Sequence, residues 1–166
     1  VLKGAVIGKN CNICDYVFVE GGATIGNGVT VKNAISVWEG VTLEDDVFVG
    51  PNVVFTNDRY PRAHLKRPKE EWLVKTIVHV GATIGANSTI LCGCHIGEHA
   101  FVGAAAFVNR QVKPYALVVG NPIKQIGWVC KCSKRLSAPW VCDCGLSYHY
   151  DEEKELISLR DNPAQH

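Results

Sequence analysis

Residues 19–55 read VEGGATIGNGVTVKNAISVWEGVTLEDDVFVGPNVVF, and an apolar side chain returns at every sixth position. The series is Val19, Ile25, Val31, Val37, Leu43, Val49 and Phe55, and it runs back through Ile13 and Ile7 to Val1. Four residues after each anchor stands a small or β-branched companion: Ala23, Val29, Ile35, Val41, Val47 and Val53. A period of six matches neither a helix, at about 3.6, nor a plain strand, at about 2. It matches an all-β solenoid of triangular section, with one short strand and one corner per hexad. Three hexads then make a coil, and stacked coils pair as parallel strands about 4.8 Å apart. Glycine follows the anchor at Gly8, Gly26, Gly50, Gly85, Gly97 and Gly103, where tight corners are expected. A β-sandwich would instead show uneven spacing, with turn signals every 8–12 residues or so.

The register breaks after Phe55 and resumes at Val78, Ile84, Ile90, Ile96, Val102 and Val108. The intervening stretch, residues 56–77, is a polar loop rich in Arg and Lys and held by Pro61 and Pro68. Solenoids tolerate such insertions at corners, and the insertions tend to carry function. The expected organisation is therefore a β-helix domain over 1–120 with this protruding loop, followed by a C-terminal tail over 121–166. Val1 is already in phase and the chain contains no methionine, so the repeat is expected to extend upstream.

Composition narrows the function classes. The 166 residues are 47% hydrophobic and 20% charged with a formal net charge of +1, which gives no electrostatic footprint for nucleic acid. No apolar run approaches the roughly 20 residues of a membrane span, and no signal leader opens the chain. A cytoplasmic protein is expected.

Arg59 and Arg62 in the loop offer forked hydrogen bonds suited to a diphosphate or a carboxylate, or simply solubilise the loop. The acidic run Glu44, Asp45, Asp46 could meet sugar hydroxyls or form a solvated edge, and Asn33 has the same two readings. Trp38 and Trp72 could offer ring-stacking surfaces or pack at a subunit contact, and packing is the expectation. Of the histidines, His64 lies in the loop and is the best candidate for a general base, with a solvated loop histidine as the commoner reading. His79, His95 and His99 occupy three different hexad positions, so they are not expected to share a face.

The eight cysteines fall in two groups. Cys11, Cys14, Cys92 and Cys94 lie in the repeats. Cys130-x-Cys132 and Cys142-x-Cys144 cluster after them as a four-cysteine set suited to tetrahedral zinc, although Cys-x-x-Cys is the commoner spacing. A structural zinc-ribbon-like appendage is expected there. The stretch from Asp151 to Leu159 reads as a short terminal helix with acidic residues in its first turn, ending before Pro163.

The hexads resemble those of the hexapeptide-repeat acyltransferases. Leu43 to Phe48, Gly50-Pro51 and Val54-Phe55-Thr56-Asn57 leading to Pro61-Arg62-Ala63 carry a more specific likeness. So does Ala116 to Pro122 with Gln125-Ile126-Gly127-Trp128. These resemble bacterial nucleotide-sugar N-acetyltransferases, above all those acting on the 3-amino group of UDP-2-acetamido-3-amino-2,3-dideoxyglucuronic acid. The resemblance implies a left-handed parallel β-helix, a homotrimer with sites between subunits, and acetyl-CoA as cosubstrate. It places Asn57 beside the reacting amine and the pantetheine arm against small corners near Ala86 and Ala104. Arg110 and Lys113 are then candidates for the CoA phosphates. Asn33, Asp46, Asp58, Arg59 and Arg62 form the expected nucleotide-sugar-binding set. Asparagine cannot serve as a general base, which agrees with direct attack by the amine. Three alternatives stay open at this point: a dTDP-3-amino-6-deoxyhexose acceptor, a γ-type carbonic anhydrase, and a non-catalytic scaffold.

Overall fold

The computed structural model describes residues 1–160. Its short strands, numbered in chain order, stack into three flat faces. The first face holds β1 (Val6–Ile7), β4 (Thr24–Ile25), β7 (Val41–Leu43), β10 (Thr76–Val78) and β13 (His95–Ile96). The second holds β2 (Asn12–Ile13), β5 (Thr30–Val31), β8 (Phe48–Val49), β11 (Thr83–Ile84), β14 (Phe101–Val102) and β16 (Ala116–Val119). The third holds β3 (Phe18–Val19), β6 (Ser36–Val37), β9 (Val54–Phe55), β12 (Thr89–Ile90) and β15 (Phe107–Val108). All pairs within these sets are parallel, and each anchor meets the anchor three hexads on: Ile7 with Ile25, Ile25 with Leu43. Leu43 pairs with Val78, so the loop is extruded without disturbing the stack.

The anchors and their small companions fill the interior as the spacing predicts. From Val19 to Phe55 every one of them is buried. Val1 and Ile7, on the first coil, remain exposed.

The corners differ from expectation. Left-handed backbone does recur every six residues, but three positions after the anchor, at Asn10, Tyr16, Gly22, Gly28, Ala34, Gly40, Asp46 and Asn52. The series continues at Gly81, Asn87, Gly93, His99 and Ala105. The glycines directly after the anchors serve a different purpose, the close approach of successive coils. A Cβ on Gly85 would stand 2.5 Å from the backbone nitrogen of Ala104. Gly85→Ala is therefore expected to destabilise the chain by about 1–3 kcal/mol through overpacking. A urea midpoint lowered at unchanged slope would register it.

After β16 the chain reverses into β17 (Lys124–Val129) and β18 (Arg135–Leu136), which extend the second face antiparallel. Residues 151–159 do not form the expected helix. They complete a hairpin of β19 (Tyr148–Asp151) and β20 (Leu156–Leu159). Tyr148 and Ile157 are buried in it, and the acidic run forms its turn, where Asp151 Oδ1 accepts the Lys154 N–H at 3.1 Å. Cross-strand packing of apolar side chains outweighs the helix-start signal. Pro163 lies outside the described residues. Within those residues no helix is long and apolar enough to cross a membrane.

Candidate functional site

The loop leaves the β-helix at the edge between the third and first faces, and its base is stapled to the coils on either side. Thr56 Oγ1 accepts the Cys92 N–H at 2.9 Å, and Arg59 Nη2 donates to the Cys92 carbonyl at 2.9 Å. Asn57 Nδ2 donates to the Glu39 carbonyl at 3.3 Å, while the Asn57 carbonyl accepts the Val74 N–H at 2.9 Å. Further out, Asp58 pairs with Arg67 and accepts the Tyr60 N–H at 2.9 Å. The Arg67 guanidinium holds the Asp58 carboxyl below the usual carboxylate range. Lys69, opening α1 (Lys69–Trp72), pairs with Glu39. These contacts hold the loop against the solenoid as an ordered feature.

Two consequences follow for the chemistry. Asn57 is half-buried and keeps its side-chain carbonyl and one N–H clear of hydrogen bonds within the described residues. The loop also borders an open hollow of about 500 Å³ that presents Arg62, Lys66 and Trp72 beside Pro61 and Leu65. Arg67 is neutralised by Asp58, so Arg62 and Lys66 supply the positive charge of the hollow alongside its apolar residues. Arg59 is already committed to the Cys92 carbonyl.

The other expected residues distribute over the prism edges. Asn33, Ala86 and Ala104 stack in one column at the edge between the second and third faces, each two residues past the paired anchors Val31, Ile84 and Val102. Arg110 lies on the loop's own edge, whereas Lys113 follows Val112, which bridges Ile96 at the far end of the first face. Arg110 Nη2 donates to the Ile123 carbonyl at 2.5 Å, and Lys113 Nζ donates to the Glu155 carbonyl at 3.0 Å. Asp46 sits on the remaining edge as an exposed left-handed corner residue. A single chain thus keeps Asn57 and the Ala86–Ala104 column on different edges. His64 is exposed in the loop.

The histidine expectation needs correction. His79 and His95 do share a face, with ring centroids 5.7 Å apart. His95 pairs with Ile77, and His79 lies two residues further along the same strand direction, so both rings point outward as diagonal neighbours. Comparing hexad positions alone hid this, because a diagonal contact depends on which coil stacks on which. His79 Nδ1 stands 3.1 Å from Glu44 Oε1, and Glu44 Oε2 accepts the Val80 N–H at 3.0 Å. Together with Glu98 and Pro114 they line a cleft of about 390 Å³. His99 is separate: it stacks at 5.3 Å on Tyr115, and burial lowers its pKa.

In the tail, the four sulfurs of Cys130, Cys132, Cys142 and Cys144 all lie within 4.8 Å of one another. Such a group could hold a metal ion.

No protein-family model matches the chain. It is 50% identical over 79 residues to the dTDP-3-amino-3,6-dideoxy-alpha-D-galactopyranose 3-N-acetyltransferase of Aneurinibacillus thermoaerophilus, a match covering 46% of this chain and 41% of that one. The chain spans less than half the length of the curated relatives it matches. Among solved structures, it is similar to the hexapeptide-repeat acetyltransferase VCA0836 of Vibrio cholerae complexed with acetyl coenzyme A. That likeness has a TM-score of 0.63 at 22% identity, over 75% of this chain and 70% of that one. It is also similar to AntD, an N-acyltransferase of Bacillus cereus, in a variant bound to dTDP and coenzyme A. There the TM-score is 0.60 at 21% identity, over 76% and 78% of the two chains. The hexad repeat, the parallel β-helix and the sequence match agree in making the chain similar to the hexapeptide-repeat acyltransferases.

Proposed function

We propose that the chain transfers the acetyl group of acetyl-CoA to the 3-amino group of a nucleotide-linked deoxy sugar. The observation that carries the reading is the ordered loop, with half-buried Asn57 at its base and a cationic hollow bordered by Trp72 in its body. A nucleoside diphosphate asks for that combination: an aromatic face for the base and paired cations for the phosphates. Of the two acceptors weighed from sequence, the dTDP-linked 3-amino-6-deoxyhexose is favoured. Its support is the 50% identity to an enzyme named for that class of sugar. The uronic acid loses support, because one of its two candidate carboxylate ligands, Arg59, is held by the Cys92 carbonyl.

The step is direct aminolysis. The neutral amine attacks the thioester carbonyl, and the carbon–nitrogen bond forms as a tetrahedral oxyanion develops. Collapse breaks the carbon–sulfur bond, and the proton lost by nitrogen accompanies the departing CoA thiolate. The free polar atoms of Asn57 orient the amine or stabilise the oxyanion, so catalysis rests on positioning and preorganised polarity. Loop and small-residue column occupy different edges, so the site closes between two chains, in line with a homotrimer. Acetyl-CoA and nucleotide sugars are substrates met in the cytoplasm, which is the compartment this reading assigns. The four cysteines take no part, since tetrahedral zinc bound by four thiolates has no open position.

A second reading draws on the Glu44–His79 contact, which leaves His79 Nε2 available as a general base. Steady-state kinetics on Trp72→Ala, Lys66→Ala and His79→Gln separate the two. The loop reading expects KM for the nucleotide sugar to rise about tenfold in the first two, on the scale of one lost stacking or charged contact. It expects His79→Gln to keep its kcat and pH profile. A kcat loss of about 10²-fold or more with His79→Gln would favour the base instead.

A further inference from the structure

The two cysteine pairs lie in turns of the same design. In the first, Cys130 N–H donates to the Lys134 carbonyl at 2.8 Å and Ser133 N–H to the Cys130 carbonyl at 2.8 Å. In the second, Cys142 N–H donates to the Leu146 carbonyl at 2.8 Å and Gly145 N–H to the Cys142 carbonyl at 2.9 Å. The residue after each second cysteine has left-handed backbone, Ser133 at φ 68° and Gly145 at φ 91°. Each first cysteine sulfur accepts the N–H of its own second cysteine, Cys132 or Cys144. One cysteine of each pair is buried and the other exposed. The two turns face each other, with Cys130 Sγ 3.5 Å from Cys144 Sγ and Cys132 Sγ 3.5 Å from Cys142 Sγ.

We propose that these four thiolates bind one zinc ion, and that the ion is the clasp that caps the last coil of the β-helix. Sulfurs about 2.3 Å from a tetrahedral zinc are about 3.8 Å apart, which the cluster matches. The observed separations are too long for disulfide bonds, which need about 2.05 Å. Outer support is in place: the fully buried Tyr148 donates its hydroxyl to Cys130 Sγ at 3.1 Å and accepts the Lys131 N–H at 3.0 Å. Such contacts orient metal ligands.

The same Tyr148 links the cluster to the solenoid. Its ring meets Tyr115, just past the last hexads, at a centroid distance of 5.4 Å, and Tyr150 meets Trp128 at 6.1 Å. The hairpin that carries both tyrosines also places Glu155 on Lys113. A tail this small buries little apolar surface of its own, and a metal supplies what its core lacks. Loaded, the tail covers the coil end where a further hexad would otherwise stack. Emptied, it should come away and expose Trp128 and Tyr115.

The test uses the full chain, purified under reducing conditions. Metal analysis with thiol titration should find one zinc per chain and four thiols released with it. Cobalt(II) in its place should give the intense sulfur-to-metal and visible bands of a tetrahedral thiolate site. Stripping the zinc with a chelator should lower Tm and shift tryptophan emission to the red, both reversed by adding zinc back. Cys144→Ser should weaken zinc binding, and Tyr148→Phe should weaken it about 10- to 100-fold. A metal-free chain with four free thiols, or two disulfides under reducing conditions, would overturn the site. Stoichiometric zinc whose removal moves neither Tm nor emission would overturn the clasp.

Discussion

Asn57→Ala is expected to lower kcat by about 10²-fold while KM for acetyl-CoA changes little. The magnitude is that of one preorganised donor or acceptor removed from a developing oxyanion or an attacking amine. The fold should survive. The substitution deletes one hydrogen bond, to the Glu39 carbonyl, at a cost of about 1 kcal/mol, and the Asn57 backbone bond to Val74 remains. Asn57→Asp is the informative companion, because it keeps the shape and the acceptor while losing the N–H donors. If Asn57 acts by donating to the oxyanion, the aspartate variant should be at least as impaired as the alanine variant. If it holds the amine through its carbonyl, the aspartate variant should retain much of the rate. Initial rates at saturating acetyl-CoA distinguish these outcomes.

The largest stability effect is expected at Phe55. This ring is the last anchor before the loop, is 1% exposed, and fills the interior where the chain leaves the stack. Phe55→Ala should cost about 3–5 kcal/mol, the lost transfer energy plus the cavity left behind. A chain of this size has a total stability of about 5–15 kcal/mol, so the variant should sit close to its folding threshold. Denaturant titration followed by tryptophan fluorescence checks it. Thr56 and Asn57 follow directly, so hydrogen exchange should rise in the loop base before it rises on the first face, whose strands remain fully paired.

The repeat was readable because one physical requirement, an inward side chain once per hexad, acts on every turn of the chain. Val19 to Phe55 needed no tertiary information. The start of the loop after Phe55 was readable for the same reason, as the place where that requirement lapses, but its end was set two residues late, because Thr76 and Ile77 already pair in β10. The corners were read less well. A left-handed turn is a backbone property that Asn52, Asp46, His99 and Ala105 can each supply, whereas the glycines after the anchors answer to crowding between coils. The His79–His95 contact depends on strand register across a long insertion, which periodicity alone does not provide. The terminal hairpin was missed because Leu156, Ile157 and Leu159 fit helical spacing as well as alternation. Only the facing strand at Tyr148–Asp151 decides between them. The cysteine set was visible as composition, but the matching turns that point the sulfurs at one another were not.

The dispersal of candidate residues over three edges is itself informative. Asn57 and the Ala86–Ala104 column are fixed by the same coil geometry and cannot approach within one chain. On the proposed reading, a site that uses both needs a second copy, and catalysis would then depend on assembly.

The central claim is best tested by incubating the chain with acetyl-CoA and a dTDP-linked 3-amino-3,6-dideoxyhexose, then analysing the sugar nucleotide by mass spectrometry and NMR. The account predicts one acetyl group on the 3-nitrogen, with one equivalent of CoA thiol released. An unmodified sugar, from chain shown to be assembled and to bind acetyl-CoA, with the UDP-linked 3-amino uronic acid equally inert, would contradict it.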